Sequence, residues 1–269
     1  MNLVKKAGLW ACFFLLLALC FKALAQPIRS GLAASGTSGA IVTPSADPLQ
    51  WGQMLMQYGN SNPGLRPQGL SRGHNIILGL GLMPGFELNG RVSTNNWDCN
   101  SYGIGSSCPA GSYRDLAAGF KFGHQIPLSS RTWASASVGV TDIGGAASLN
   151  RSSFGVVGIQ QSWWGVSLGQ ARAHASSAPL NGLFTNVFVQ LFDNLQLTYE
   201  QMGKRGWVGA RYDRRLPWAD ESTRFQISVA KSTHQDGFTP PVSVSFGVRL
   251  EFDRPASTAQ KQRLQSQVN

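Results

Sequence analysis

The run from Val242 to Phe252 constrains the fold more than any other stretch. Val244, Phe246, Val248, Leu250 and Phe252 alternate with Ser243, Ser245, Gly247, Arg249 and Glu251, the period of two that gives a strand one apolar and one polar face. The run is long enough to cross a bilayer as a tilted strand, which takes about 9 to 11 residues. It ends on an aromatic, where an interfacial girdle would sit. One such strand also suits a soluble sandwich, so the rest of the chain decides.

About twelve strand candidates run from Gly52 onward: Gly52–Asn60, His74–Leu82, Phe86–Thr94, Arg114–His124, Arg131–Val140, Ser153–Gln161, Trp163–Gln170, Phe184–Leu191, Leu195–Gln201, Gly206–Asp213, Thr223–Ala230 and Val242–Phe252. Ile76, Leu78, Leu80 and Leu82 share one face, as do Leu116, Ala118, Phe120 and Phe122. Leu195, Leu197 and Tyr199, then Phe225, Ile227 and Val229, repeat the pattern. Between strands, long connections (Ser61–Gly73, Asn95–Tyr113, Thr141–Ser152, Ala171–Leu183, Lys231–Pro241) alternate with short ones at Met83–Gly85, Ser162 and Phe192–Asn194. Outer-membrane barrels place long loops outside and short turns at the periplasmic rim, whereas a sandwich has no reason to alternate this way. The turn Met202–Arg205 is brief for an outer loop, and Arg214–Ser222 is long for an inner one.

The fold expected is therefore all-β: a transmembrane antiparallel up-and-down barrel of about twelve strands, set in the lipid of a Gram-negative outer membrane. In hydrocarbon every backbone N–H and C=O needs a partner within the protein, and a closed barrel supplies one without a free edge. A cation at mid-bilayer costs about 2 to 4 kcal/mol. Glu87, Arg91, Asp115, Lys121, Glu200, Arg211, Arg224, Arg249 and Glu251 should accordingly line the lumen. Either they leave a positive excess able to attract anionic sugars, or they pair across the lumen and close it. Trp51, Trp133, Trp163, Trp164, Trp207 and Trp218 lie near strand ends, as girdles require.

Residues 1–25 read as a secretory signal peptide: Lys5 and Lys6, an apolar run from Ala7 to Phe21, then Ala23-Leu24-Ala25 before Gln26. Cleavage removes Lys5, Lys6 and Lys22 and no acid, so the formal charge of +10 falls to +7. Residues 26–50, rich in Gly, Ser, Ala and Pro, form an extended lead-in, either on the periplasmic side or tucked into a lumen. The barrel occupies 51–252, and 253–269 reads as a flexible periplasmic tail. Cys99 and Cys108 remain after cleavage and, in an exported protein, most simply form a disulfide that staples a loop.

Ser245, Gly247, Leu250 and Phe252 resemble the C-terminal signal by which bacterial outer-membrane barrels are recognised for insertion, which implies the barrel assembly machinery as a partner. Gly39–Ala46 (GAIVTPSA), Arg114–Phe122 (RDLAAGFKF), Asp142–Gly145 (DIGG) and Leu180–Phe184 (LNGLF) together resemble, in family order, recurring motifs of the YjbH family of exopolysaccharide-associated outer-membrane proteins. This chain has Asp47 where the family often carries Arg, and Leu19 before Cys20 spoils a lipobox. The resemblance implies a structural or transport role in exopolysaccharide biosynthesis or export, with an exopolysaccharide and periplasmic export components as partners.

Two other functions stay open: a narrow porin for acidic oligosaccharides, and a barrel hydrolase. For the latter, His74, His124, His174 and His234 are the available histidines, and no serine–histidine–acid signature accompanies them. Solvated rim histidines are the simpler reading, so neither a catalytic residue nor a cofactor is expected. Two cysteines without a nearby histidine do not make a metal site. No basic run interleaved with aromatics suggests nucleic acid.

Overall fold

A computed structural model describes residues 31–59, 74–96, 112–144, 151–174, 180–216, 222–233 and 242–252. The signal peptide, Cys99 and Cys108, His234, Trp218 and the tail lie outside the described residues. Two short strands come first, β1 (Gly31–Leu32) and β2 (Ser38–Gly39). Then come β3 (Gln53–Gly59), β4 (His74–Met83), β5 (Phe86–Asn96), β6 (Ser112–Ser129), β7 (Thr132–Ile143) and β8 (Ser152–Gln161). They are followed by β9 (Trp164–Ala173), β10 (Gly182–Phe192), β11 (Leu195–Met202), β12 (Arg205–Arg215), β13 (Thr223–Ser232) and β14 (Val242–Glu251). No helix occurs among the described residues.

Strands β3 to β14 form one closed barrel in which each strand pairs antiparallel with its sequence neighbours and β14 returns to β3. All twelve expected strands are present. The largest extension is β6, which continues from Arg114–His124 out to Ser129, with Ile126 and Leu128 exposed along the extension. Residues 84–85, 130–131, 162–163 and 193–194 make tight turns at one rim, the inner one.

Apolar side chains form the outer band. Leu116 and Val157 are 67% and 57% exposed, Leu197 is also exposed, and Phe120 and Val248 are half-exposed on the same outer surface. Only a nonpolar solvent makes such a belt favourable, which fixes this surface as lipid-facing. Trp51, Trp133, Trp163 and Trp164 gather at the inner rim.

Two expectations about the interior need correction. Trp207 is not in a girdle: it is 1% exposed and faces inward, because on β12 it shares its face with Gly209 and Arg211. Nor is the interior lined only by polar and charged groups. Phe154, Val156, Phe184, Met202 and Trp207 form an apolar patch toward the outer end, and Leu55 and Ile77 form a smaller one near the inner rim.

Both patches exist because residues 31–50 lie inside the barrel. The segment is buried along nearly its whole length, with only Ser35, Pro48 and Gln50 partly exposed. It folds back on itself through the β1–β2 pairing and a bridge between Gly39 and Pro44. Gly36 takes a positive φ of 101° in the 33–37 turn, a conformation that glycine adopts without steric cost. Leu32 and Leu49 meet Leu55 and Ile77, while Ile41, Val42 and Ala46 meet the outer patch. Of the two placements open for the lead-in, the chain takes the lumen.

Candidate functional site

No strand of the wall pairs with this plug: β1 and β2 form a separate sheet. Its backbone groups must then find side chains, since buried N–H and C=O groups are rarely left alone. Four lumen-facing ionic residues supply most of them.

On β11, Glu200 accepts the N–H groups of three successive residues, Ile41 (2.8 Å), Val42 (2.9 Å) and Thr43 (2.6 Å), plus the Thr43 hydroxyl (2.9 Å). Consecutive N–H groups converging in a turn make a concavity for an anion, and the carboxylate fills it. Asn186 on the adjacent β10 donates to Thr43 Oγ1 (3.1 Å) and to the Pro44 carbonyl (2.9 Å). Arg211 on β12 does the converse, donating to the carbonyls of Gly39 (3.0 Å), Ala40 (2.6 Å) and Leu32 (3.4 Å).

Closer to the inner rim, Glu87 on β5 accepts the Ser38 N–H (2.7 Å), the Ser38 hydroxyl (2.5 Å) and the Leu49 N–H (3.0 Å). Lys121, its cross-strand partner on β6, donates to the carbonyls of Ser38 and Asp47, both at 2.8 Å, and lies 3.6 Å from Glu87. Gln125 holds the Asp47 carboxylate at 2.8 Å, and the Ser137 hydroxyl donates to the Ala46 carbonyl. Glu87, Lys121 and Glu200 are 0% exposed and Arg211 is 2% exposed. Charges buried this completely are tolerated only when paired and hydrogen-bonded, and here much of the pairing is with plug backbone.

The remaining sequence-derived lumen residues take other positions. Arg91 is buried against Asp142 at 3.8 Å. Arg249 reaches Asp213 at 3.4 Å, and Arg224 bonds the same carboxylate. Glu251 lies toward the inner rim, where Gln53 donates to it at 3.4 Å. Asp115 pairs through its backbone with Ser93, its side chain lying outside the described part. Ser245, Gly247 and Leu250 belong to β14, and Phe252 follows it, 55% exposed.

Of the two alternatives for the lumen charges, Asp142 and Asp213 tip the described wall toward pairing rather than a positive excess. With Glu87, Glu200 and Glu251 they oppose Arg91, Lys121, Arg211, Arg224 and Arg249, leaving the described wall close to balance. Asp142 reaches the lumen through a β-bulge. Thr141 and Asp142 together face inward, and the β6–β7 register shifts opposite them. Asp142 has a positive φ of 61°, which aspartate tolerates better than most residues. Asn186 and Ser38 were also missed. A mid-strand asparagine was the only available signal.

His124 and His174 are exposed. Among the described side chains no histidine is hydrogen-bonded to a serine, and no cluster of three or more His, Cys, Asp or Glu is placed to hold a metal ion.

The fold and its interior define the class: an outer-membrane β-barrel of twelve strands with its own N-terminal segment lodged in the lumen. No protein-family model matches the chain, and no curated protein matches it. Among solved structures it is similar to the KdgM porin, at 10% identity and a TM-score of 0.46 over 75% of this chain and 99% of that one. It is also similar to the NanC porin (10%, TM-score 0.39, 75% and 100%) and to outer membrane phospholipase A from Escherichia coli (10%, 0.39, 76% and 93%). Identities and TM-scores this low bear on neither substrate nor chemistry.

Proposed function

We propose that this protein is a plugged outer-membrane barrel serving the export of an extracellular polysaccharide, with residues 31–50 as its closing element. One observation carries the reading: three of the four stretches that resemble the YjbH family meet at the plug, while the third in sequence lies on the wall. Gly39–Ala46 is the plug tip. Arg114–Phe122 contributes Lys121, which holds two plug carbonyls. Asp142–Gly145 contributes the bulge carboxylate beside Arg91. Leu180 and Phe184, from the fourth stretch, pack in the cluster that contains Ile41 and Val42. Residues far apart in sequence thus serve one structural unit, as a shared function would require. Deleting the gene under inducing conditions should lower secreted polysaccharide, with recovery by the intact chain; unchanged output would reject this role.

A second reading, a narrow porin for acidic oligosaccharides, draws support from Arg211. Its guanidinium donates to three plug carbonyls and to the Ser228 hydroxyl (3.1 Å), and to no wall carboxylate among the described residues. Withdrawal of the plug would leave this cation facing the lumen, where it would attract anions. In planar bilayers the plugged chain should stay closed. Openings that select anions after the plug is loosened would favour this second reading.

A further inference from the structure

The interior of a membrane barrel is ordinarily polar, yet this lumen carries aromatic rings on the alternate strands β8, β10 and β12, with Phe154, Phe184 and Trp207 toward its outer end and Phe188 nearer the inner rim. Phe154 lies opposite Gly139, Phe184 opposite Gly169 and Phe188 opposite Gly165. In each pair a Cβ on the glycine would run into several atoms of the phenylalanine ring at once. The rings therefore lie over the bare backbone of the preceding strand, one face against the wall and the other toward the barrel axis. Trp207 on β12 joins Phe154 and Phe184 in the same cluster, and Ile41, Val42 and Ala46 of the plug cover it.

If this wall existed only to seat the plug, its polar atoms should be satisfied by the plug. Three are not. Trp207 Nε1, Asn186 Oδ1 and Thr198 Oγ1 are buried without a hydrogen-bond partner, each on a residue no more than 3% exposed. They are close neighbours: Asn186 pairs with Glu200, Glu200 pairs with Trp207, and Thr198 lies two residues from Glu200 on the same face of β11. A buried polar group without a partner is costly, so the plug is an incomplete occupant of this surface. Flat π faces beside unpaired donors and acceptors fit a pyranose. Its axial C–H groups stack on the negative ring face, and its hydroxyls both donate and accept.

We propose that the wall formed by Phe154, Phe184, Trp207, Asn186 and Thr198 is a binding track for pyranose rings of a polysaccharide, covered at rest by residues 41–46. The proposal rests on the export reading and names the site that reading needs. Sugar and plug compete for one surface, so oligosaccharide must favour the withdrawn plug.

The test uses the full chain in liposomes carrying Ser45→Cys, a near-isosteric reporter on the plug, and Glu200→Gln to loosen the tip. Labelling by a membrane-impermeant maleimide is measured above that of the chain without Ser45→Cys, with and without hexamers of glucose or galacturonate. Glu200→Gln should raise labelling by itself. A hexamer at about twice its dissociation constant should then raise it about threefold, as expected for a ligand that binds only the withdrawn form. Trp207→Leu, or Phe154→Leu should Trp207→Leu fail to fold by heat-modifiable electrophoretic mobility, should bring that ratio back toward one. If Glu200→Gln raises labelling and neither hexamer adds to it, the track is overturned and the plugged-barrel reading stands. A ratio indifferent to both leucine variants likewise overturns the track. If Glu200→Gln leaves labelling unchanged, the plug does not withdraw, and the track falls together with the export reading.

Discussion

Wall and plug are held by different kinds of hydrogen bond. The wall is a closed ladder of backbone pairs running from β3 round to β14 and back, set in lipid that offers no competing donor or acceptor. The plug is held by side chains reaching to its backbone: Glu200 to residues 41–43, Arg211 to 32, 39 and 40, and Glu87 with Lys121 to 38, 47 and 49. Its bonds face a lumen where water could replace them if the segment left. Opening the wall would strand backbone groups in hydrocarbon, whereas releasing the plug exchanges one set of polar partners for another. One architecture thus contains a part held against lipid and a part held against a lumen.

Substitutions at the seam between wall and plug, then in the wall, then at the plug sharpen this contrast. The largest effect is expected from Lys121→Met, which leaves Glu87 buried with its cation removed and costs about 3 to 5 kcal/mol. A urea titration of the liposome-folded protein should show the loss, and adding Glu87→Gln should restore part of it. A double variant no better than the single would mean that the two residues do not act as a pair. Next comes Val157→Arg at the middle of β8, on the lipid face. It should cost about 2 to 4 kcal/mol of folding stability while leaving plug release unchanged in single-channel recordings; altered gating would blur the division between wall and plug.

Glu200→Gln should do the opposite. It removes the charge that three plug N–H groups share, weakening plug retention by about 1 to 3 kcal/mol. Brief openings should become roughly tenfold more frequent for each 1.4 kcal/mol, with the urea midpoint of the wall little moved. The smallest effect belongs to Arg224→Gln. Its pair with Asp213 is mostly buried, but Arg249 also reaches that carboxylate and keeps it paired, so folding stability should change by only about 1 kcal/mol, far less than when a buried charge loses its sole partner. A larger loss would show that the rim charges help carry the barrel.

Much of the wall was legible in the chain. Val244, Phe246, Val248 and Leu250, like Leu195, Leu197 and Tyr199, record their outward faces as alternation, and the connection lengths separate inner rim from outer. Lys121, Glu200 and Arg211 were assigned to the lumen because mid-strand charge has nowhere else to go. Their partners were not legible, because they come from a segment whose Gly-, Ser- and Pro-rich composition carries no period. Trp207 was misleading for a different reason. An aromatic near a strand end suits a lipid girdle and a lumen equally, and only its register against Glu200 tells the two apart. Asp142 escaped because the bulge that turns it inward breaks the alternation used to assign faces.

The sequence by itself determined the wall, because each strand writes the polarity of the two media it separates into its own alternating residues, and that record is local. The tertiary structure alone decided what fills the barrel. Residue 41 meets residue 200, and residue 38 meets residues 87 and 121, through bonds between backbone and side chain that leave no periodic trace. Those partners exist only once the barrel has closed and left the plug's N–H and C=O groups nowhere else to pair.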